Sequence, residues 1–356
     1  MSQIQIPTDH EHVQVKPGRR TGLPVMIAVH STVLGPAIGG LRIKHYEHAS
    51  DGLTDCLRLS HAMTYKAAAV DNGTGGGKAV VPLPGGVTLS PSQRSALLLD
   101  IAEHIQSLDG AYLAGPDVGT GPEDMDFMYR RTRWTGGRSK AAGGAGGTTY
   151  GTFVGLLSAI NTAVEVTLGR NSVAGLRFSI VGLGGIGALL AKTLKEQGAE
   201  LIVSDIDPTK EATARKLGAQ WLQPEEALLA KCDVLVPCAL GGVFTIQNIS
   251  SLRCKLICGA ANNQLAVDSV ATALLEREIV YVPDFIASAG GLMYASGVEV
   301  HNRSEEAAEK HVREGIAQNV RMVLLESREI EIPTVDVALT LGQRRLDAAH
   351  ARLAVA

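Results

Sequence analysis

The run Phe178-Ser179-Ile180-Val181-Gly182-Leu183-Gly184-Gly185-Ile186-Gly187 decides the fold of the second half of this chain. A β-run enters a G-x-G-x-x-G turn, and a helix follows from Leu189 to Gln197, closed by Gly198. A second strand, Leu201 to Ser204, ends on Asp205, about twenty residues beyond the turn. A strand before, a helix after and an acid at the next strand end make this glycine pattern a dinucleotide site. Gly182 permits the tight turn, Gly184 lets the backbone approach a pyrophosphate, and Gly187 lets helix and strand pack closely. Leu183, Gly185 and Ile186 complete the cofactor-binding turn. Asp205 is placed to bond the adenosine ribose hydroxyls. With Asp207 it repels a 2′-phosphate, so NAD is expected over NADP.

Working outward, β-like runs recur at Asp233 to Val236, Leu256 to Cys258 and Ile279 to Val282, with helices between them. That alternation predicts a doubly wound parallel sheet. The preceding half mixes strands and helices as an α/β catalytic domain does. It reads as a strand over Val25 to His30, a Gly-Pro-rich loop from Gly35 to Gly40, and a helix from Leu53 to Thr64. A short strand from Lys78 to Leu83, a helix from Pro91 to Leu108 with Ser90 as N-cap, and a strand from Ala111 to Ala114 follow. Glycines crowd the stretch from Gly143 to Gly147, where a hinge is expected because glycine eases backbone rearrangement. At 356 residues two domains are the natural expectation. The expected division is 1–142 for substrate binding, catalysis and oligomerisation, 143–328 for a Rossmann-type NAD-binding domain, and 329–356 for a helical segment returning to the first.

Upstream of the dinucleotide turn lie Lys66 in Ala62-Met63-Thr64-Tyr65-Lys66, Lys78 after Gly75-Gly76-Gly77, and Asp117 in Gly115-Pro116-Asp117-Val118. A free lysine titrates near about 10.4 and is a poor base at neutral pH. Burial and a second nearby cation both depress that value, and Lys66 and Lys78, joined through a glycine loop, would supply such a pair. One lysine can then hold a carboxylate, the other can do proton chemistry, and the aspartate can shuttle protons. Taken alone, Lys78 also reads as a solvated loop residue and Asp117 as a turn carboxylate. The glycine run is no P-loop, because Ala79 follows the lysine.

These blocks, with Gly35-Pro36-Ala37-Ile38-Gly39-Gly40-Leu41-Arg42, Gly143-Gly144-Ala145-Gly146, Pro237 to Gly242, Gly259 to Leu265 and Pro283-Asp284-Phe285, stand in a familiar order. The chain resembles the Glu/Leu/Phe/Val dehydrogenases, and within them the leucine, valine and phenylalanine dehydrogenases, from roughly Leu34 to Ala349. The resemblance implies that Lys66 binds the substrate carboxylate, Lys78 activates the attacking water, and Asp117 transfers protons to and from the amine. It implies that the Gly39-Gly40 backbone lines the substrate site with Met63 and Leu292, and that Thr148 or Thr149, Ala239 and Asn262 contact cofactor or substrate. The implied reaction is NAD-dependent oxidative deamination of an L-amino acid to its 2-oxo acid and ammonia, in a homo-oligomer. No basic group matches a glutamate side chain, so an apolar side chain is expected. Ile38, Thr74, Leu292 and Met293 are the candidate pocket walls. Arg133-Trp134-Thr135 and Asn263-Gln264-Leu265 look most like valine dehydrogenases, which tilts the choice to branched-chain substrates over Phe or Trp.

Two departures stand out. Ser288-Ala289-Gly290-Gly291 replaces the usual Asn-Ala-Gly-Gly, and the loop Asn72-Gly73-Thr74 is more polar than in relatives. Two other readings stay open: a non-catalytic NAD-binding regulatory protein, and a dehydrogenase of another amine or a hydroxy acid.

Bulk properties exclude other classes. Net charge is −3, which gives no electrostatic case for nucleic acid or an anionic membrane. The amino end lacks an apolar signal region, no run reads as a membrane span, and five cysteines lack CxxC spacing. A cytoplasmic protein with reduced cysteines is expected. His45 and His48 sit three apart without further ligands, so no metal site is expected there. Arg130 to Trp134 is expected as a solvated helix end.

Overall fold

The strand Pro24–Ser31 is buried along nearly its whole length, which only a strand covered on both faces can be. Its side chains alternate between two cores, as period-2 geometry requires. Met26 and Ala28 face one cluster with Val80, Leu53, Cys56 and Leu57. Val25, Ile27 and Val29 face the other, with Ala79, Val81, Leu97, Leu98 and Ile101. A helix on each side supplies the covers.

The computed structural model describes residues 9–355. Its first sheet holds β1 (His12–Pro17), β2 (Pro24–Ser31), β3 (Ala37–His45), β4 (Gly75–Leu83) and β5 (Tyr112–Pro116), in the order β1-β2-β4-β3-β5. β2 pairs antiparallel with both β1 and β4, and β3 pairs parallel with both β4 and β5. The helices of this half are α1 (Ala49–Ala69), α2 (Pro91–Gln106) and α3 (Pro122–Tyr129). Ser90 caps α2 by accepting from the Gln93 N–H, with Pro91 at the first helical position.

The second sheet is parallel throughout: β6 (Arg177–Val181), β7 (Glu200–Ser204), β8 (Gln220–Trp221), β9 (Val234–Pro237), β10 (Leu256–Ile257) and β11 (Val280–Tyr281). Its order, β11-β10-β9-β6-β7-β8, is that of a Rossmann fold, with the strand order reversing between β6 and β9. Around it run α4 (Thr149–Leu168), α5 (Gly185–Glu196), α6 (Glu211–Lys216), α7 (Pro224–Leu228), α8 (Ile246–Ile249), α9 (Ser269–Glu276) and α10 (Asp284–Ala287). The chain closes with α11 (Gly290–Glu299), α12 (Glu305–Ile330) and α13 (Thr334–Val355).

By internal contacts the chain forms two units. Unit 1 holds 1–148, 295–305 and 341–356, and unit 2 holds 149–294 and 306–340. The inserted piece of unit 1 is tied in by Glu299, whose carboxylate accepts from the Gly137 and Ala145 N–H groups and from Arg138.

Several local expectations change. The run from Gly35 to Gly40, expected as a loop, enters β3 at Ala37, and the glycines before Lys78 lie inside β4. They serve close strand approach, as the site below makes plain. The run Leu256 to Cys258, expected as a strand, contributes Leu256–Ile257 to the sheet. Trp134, expected at a solvated helix end, is half-buried against the α2 core with Arg133 stacked over its ring. α4 is 20 residues long and apolar enough to span a membrane by length and composition, a length the sequence expectation missed. Most of it is buried within unit 2, as a core helix is.

The turn between β1 and β2 is pinned by Asp100 of α2, which is 1% exposed. Its carboxylate accepts from the Arg20 and Thr21 N–H groups, the Arg20 guanidinium and the Thr21 hydroxyl. Burial pushes this carboxyl up, but those donors outweigh it and hold it below the usual carboxylate value. Because the folded value is depressed, the stabilisation is present at neutral pH and is lost as pH falls through the folded pKa. Asp100→Asn is expected to cost about 3 kcal/mol in urea unfolding at pH 7. The gap to wild type should close in the acid range.

Candidate active site

Lys78 lies in the interior of β4 and is 5% exposed. Its ammonium donates to Asp117 Oδ2 at 2.6 Å, just beyond the end of β5. β3 runs between these strands, and at Gly40 it has no side chain to fill the gap. A Cβ there would stand 2.6 Å from Asp117 Cβ and 3.1 Å from Lys78 Nζ. One residue earlier, a Cβ on Gly39 would sit 1.6 Å from the Gly77 carbonyl oxygen. So Gly39 and Gly40 let the strands approach and leave room for the ion pair, and the extended backbone here is no turn. The Tyr112 hydroxyl, fully buried, donates to the Gly39 carbonyl at 2.8 Å and fixes that segment.

Arg42 completes the cluster. It is two residues past Gly40, hence on the same face of β3. Its Nε donates to the same Asp117 Oδ2 at 2.9 Å, and its Nη1 donates to Asp55 Oδ2 of α1 at 2.7 Å. The Tyr46 hydroxyl and the Arg58 guanidinium hold Asp55 in turn. At its own turn, the Asp117 N–H donates to Thr120 Oγ1, whose hydroxyl donates to the Leu41 carbonyl.

This arrangement sets the charges. Burial draws the Lys78 ammonium below its ordinary value, Asp117 opposes that, and the Arg42 guanidinium adds to it. Burial raises the Asp117 carboxyl, but Lys78 and Arg42 together hold it below its ordinary value. A lysine that loses its proton more readily beside a carboxylate that stays ionised is suited to proton transfer near neutral pH. Arg42 is a cation that helps to depress Lys78. Arg42 had no expected role, although its spacing from Gly40 was a usable signal.

Lys66 and Met63 are half-buried in the last turns of α1. α1 is pressed against β4: a Cβ on Gly76 would lie 2.1 Å from the Thr64 nitrogen, and the Cys56 thiol donates to the Lys78 carbonyl at 3.4 Å. The polar loop Asn72-Gly73-Thr74 finds partners within unit 1. Asn72 donates to Thr74 Oγ1 and accepts from Ser296, and His301 meets the Asn72 carbonyl.

In unit 2 the glycine turn sits where the strand order reverses. Gly182 has φ +108°, and a Cβ there would meet the Ala239 Cβ at 2.8 Å, so the turns after β6 and β9 touch. A Cβ on Gly187 would lie 1.9 Å from the Gly182 carbonyl oxygen, which is the close helix–strand packing that position requires. Gly184, at the N-cap of α5, has nothing within 4 Å of its own added Cβ. An open backbone at a helix N-terminus is what a pyrophosphate needs, so these residues fit a dinucleotide. Thr149 lies against Gly185, and Thr148 is exposed at the end of unit 1.

Asp205 Oδ2 accepts from the Leu183 N–H at 2.7 Å and from Lys210 at 2.9 Å, and its Oδ1 accepts from the Asp207 N–H. Burial raises its carboxyl, and these donors more than reverse that, so it stays ionised. Lys210 was not among the expected site residues. Exposed Asn262 accepts from the Ser288 hydroxyl at 3.3 Å. Ser288 is buried, and Leu292 is half-buried on α11.

Comparison with known proteins adds the following. Residues 5–134 match the Glu/Leu/Phe/Val dehydrogenase dimerisation domain, and residues 205–353 match Glutamate/Leucine/Phenylalanine/Valine dehydrogenase. Residues 161–242, which carry the glycine turn, match the NAD binding domain of D-isomer specific 2-hydroxyacid dehydrogenases. The chain is 34% identical to leucine dehydrogenase of Geobacillus stearothermophilus over 345 residues, 95% of this chain and 91% of the relative. It is 37% identical to valine dehydrogenase of Streptomyces virginiae over 290 residues, 80% and 79% of the two chains. The crystal structure of L-tryptophan dehydrogenase from Nostoc punctiforme superposes with a TM-score of 0.83 at 32% identity, covering 96% of this chain and 97% of that one.

Gly40→Ala tests the space argument directly. Overpacking between Asp117 and Lys78 is expected to cost about 2 kcal/mol in urea unfolding. A crystal structure of the variant should show Lys78 and Asp117 no longer in contact.

Proposed function

Because this chain belongs to the Glu/Leu/Phe/Val dehydrogenase family, whose members are oxidoreductases acting on CH–NH2 groups, we propose that it deaminates a branched-chain L-amino acid, using NAD. The observation carrying the reading is the buried Lys78–Asp117 pair, with Arg42 on the same carboxylate oxygen. When bound, NAD supplies the acceptor for the hydride that leaves the substrate Cα. Gly182, Gly184, Gly187 and Asp205 would hold it. Lys66 binds the substrate carboxylate. Lys78, depressed by burial and Arg42, takes a proton from the water that adds to the substrate imine carbon. Asp117, kept ionised, receives and returns protons at the amine nitrogen as ammonia leaves. The balance is amino acid, NAD and water in, and 2-oxo acid, ammonium, reduced cofactor and one proton out.

The side-chain preference has separate support. Arg42 is occupied by two carboxylates, so it offers no free charge to a glutamate side chain. Relatives named for leucine and valine cover most of the chain. The Nostoc tryptophan dehydrogenase makes an aromatic substrate the second reading. The likeness to 2-hydroxyacid dehydrogenases is confined to the nucleotide-binding segment and carries no substrate argument. A homo-oligomer is proposed from the match to the dimerisation domain.

Purified protein is expected to form NADH with Val or Leu at alkaline pH, faster than with Phe, Trp or Glu. Lys78→Ala should lose at least about three orders of magnitude in kcat. Faster turnover of Trp or Phe would move the assignment to the aromatic reading, and no turnover on any amino acid would sink both.

A second check reads the charge cluster through pH. Neutral Lys78 is the active form, so turnover rises as pH climbs through its pKa. Arg42→Met removes a group that lowers that pKa, so the acid limb should move to higher pH. A profile that stays put or moves down would separate Arg42 from the chemistry.

A further inference from the structure

Away from the lysine–aspartate pair, three segments distant in sequence bring histidines and a carboxylate together: Asp9 and His10 before β1, His30 on β2, and His61 on α1. One ligand atom each from Asp9, His30 and His61 lies within 4.8 Å of the others. The geometry points to a binding site for a divalent first-row transition ion of the zinc class, held by two imidazoles and one carboxylate.

The orientation of each group supports this. His30 is 9% exposed, and its Nδ1 meets Thr64 Oγ1 at 2.9 Å, which fixes the ring and directs Nε2 outward. An outer hydrogen bond on one ring nitrogen is how metal-binding histidines are held. His30 Nε2 stands 3.5 Å from Asp9 Oδ2. Ligand atoms on a tetrahedral zinc, with bonds of about 2.1 Å, stand about 3.4 Å apart. The other Asp9 oxygen is held by His10 Nδ1 at 3.0 Å, and His10 Nε2 faces Ser60 Oγ at 2.8 Å. His10 therefore orients the carboxylate and leaves Oδ2 turned toward His30. The His61 ring lies 4.6 Å from that of His30 at 71°, on the exposed side, with a ring nitrogen inside the 4.8 Å span of the cluster. With three protein ligands, the fourth position falls to water.

The ion's effect would be structural. It would clip the N-terminal segment to β2 and α1, and His61 stands one helical turn before Thr64, the residue packed on Gly76 of β4. The site is independent of the proposed reaction, and its test does not depend on turnover.

Untagged full-length protein, stripped with EDTA, is titrated with Zn2+ by calorimetry and with Co2+ by visible absorption. One equivalent per chain is expected, with Co2+ giving the visible bands of low coordination and Zn2+ raising the melting temperature. His61→Gln and Asp9→Asn alter exposed groups, so the fold survives, and each should weaken Zn2+ binding about tenfold or more. His45→Ala, at an exposed histidine outside the cluster, should bind as wild type does. Equal binding by wild type and both cluster variants, or uptake without a defined stoichiometry, would overturn the assignment.

Discussion

An ammonium group inside a β-sheet is the constraint on which unit 1 turns. Removing such an ion from water costs several kcal/mol unless a partner and further hydrogen bonds compensate. Here Asp117 supplies the partner at 2.6 Å. The same oxygen also accepts from Arg42, so two cations share one carboxylate and Lys78 is left only partly compensated. That shortfall is useful, because an ammonium that is well paired on all sides would hold its proton too firmly to serve as a base. Arg42 in turn is shared with Asp55, itself held by Tyr46 and Arg58. The absence of side chains at Gly39 and Gly40 then follows, since nothing else lets three strands close around a lysine and its acid.

How much of this could be read from the sequence depended on whether the signal was local. The Rossmann half was legible because its punctuation is local: strand, glycine turn, helix and acid follow each other within about thirty residues. Unit 1 was harder. Its glycines look like turn residues in one dimension, whereas in three dimensions they answer to the Gly77 carbonyl, the Thr64 nitrogen and the Tyr112 ring. Those partners are distant in sequence, so no periodicity announces them, and strands β3 and β4 read as loops over their first residues. The two-residue and four-residue elements of unit 2 leave even less of a pattern.

The site shows the same division. Lys78 and Asp117 were named from their motifs, and the structure brings them into contact. Lys66 was the cation expected beside Lys78, and the structure adds a second, the Arg42 guanidinium at the shared Asp117 oxygen. The polar loop at Asn72 looked like a departure in the pocket wall. Its polarity is instead consumed by Ser296 and His301, from a segment more than two hundred residues away. Ser288 is comparable: its hydroxyl donates to the Asn262 side chain and so keeps one of the links an asparagine would make.

The cofactor end shows why net charge is a weak guide to specificity. Asp205 was expected to repel a 2′-phosphate, yet Lys210 sits 2.9 Å from the same carboxylate and offsets its charge. Asp207, held by the neutral Thr209, keeps its negative charge there, and hydrogen bonding adds to the preference proposed for NAD. A carboxylate has about four acceptor positions, and Leu183, Asp207 and Lys210 fill three of them. The remaining one suits a ribose hydroxyl, which donates. A dianionic phosphate has no proton to donate, so in its place Asp205 would face an acceptor with an acceptor. Under the proposed use of NAD, the lysine steadies the aspartate for its partner, and discrimination would draw also on which group has a proton to give.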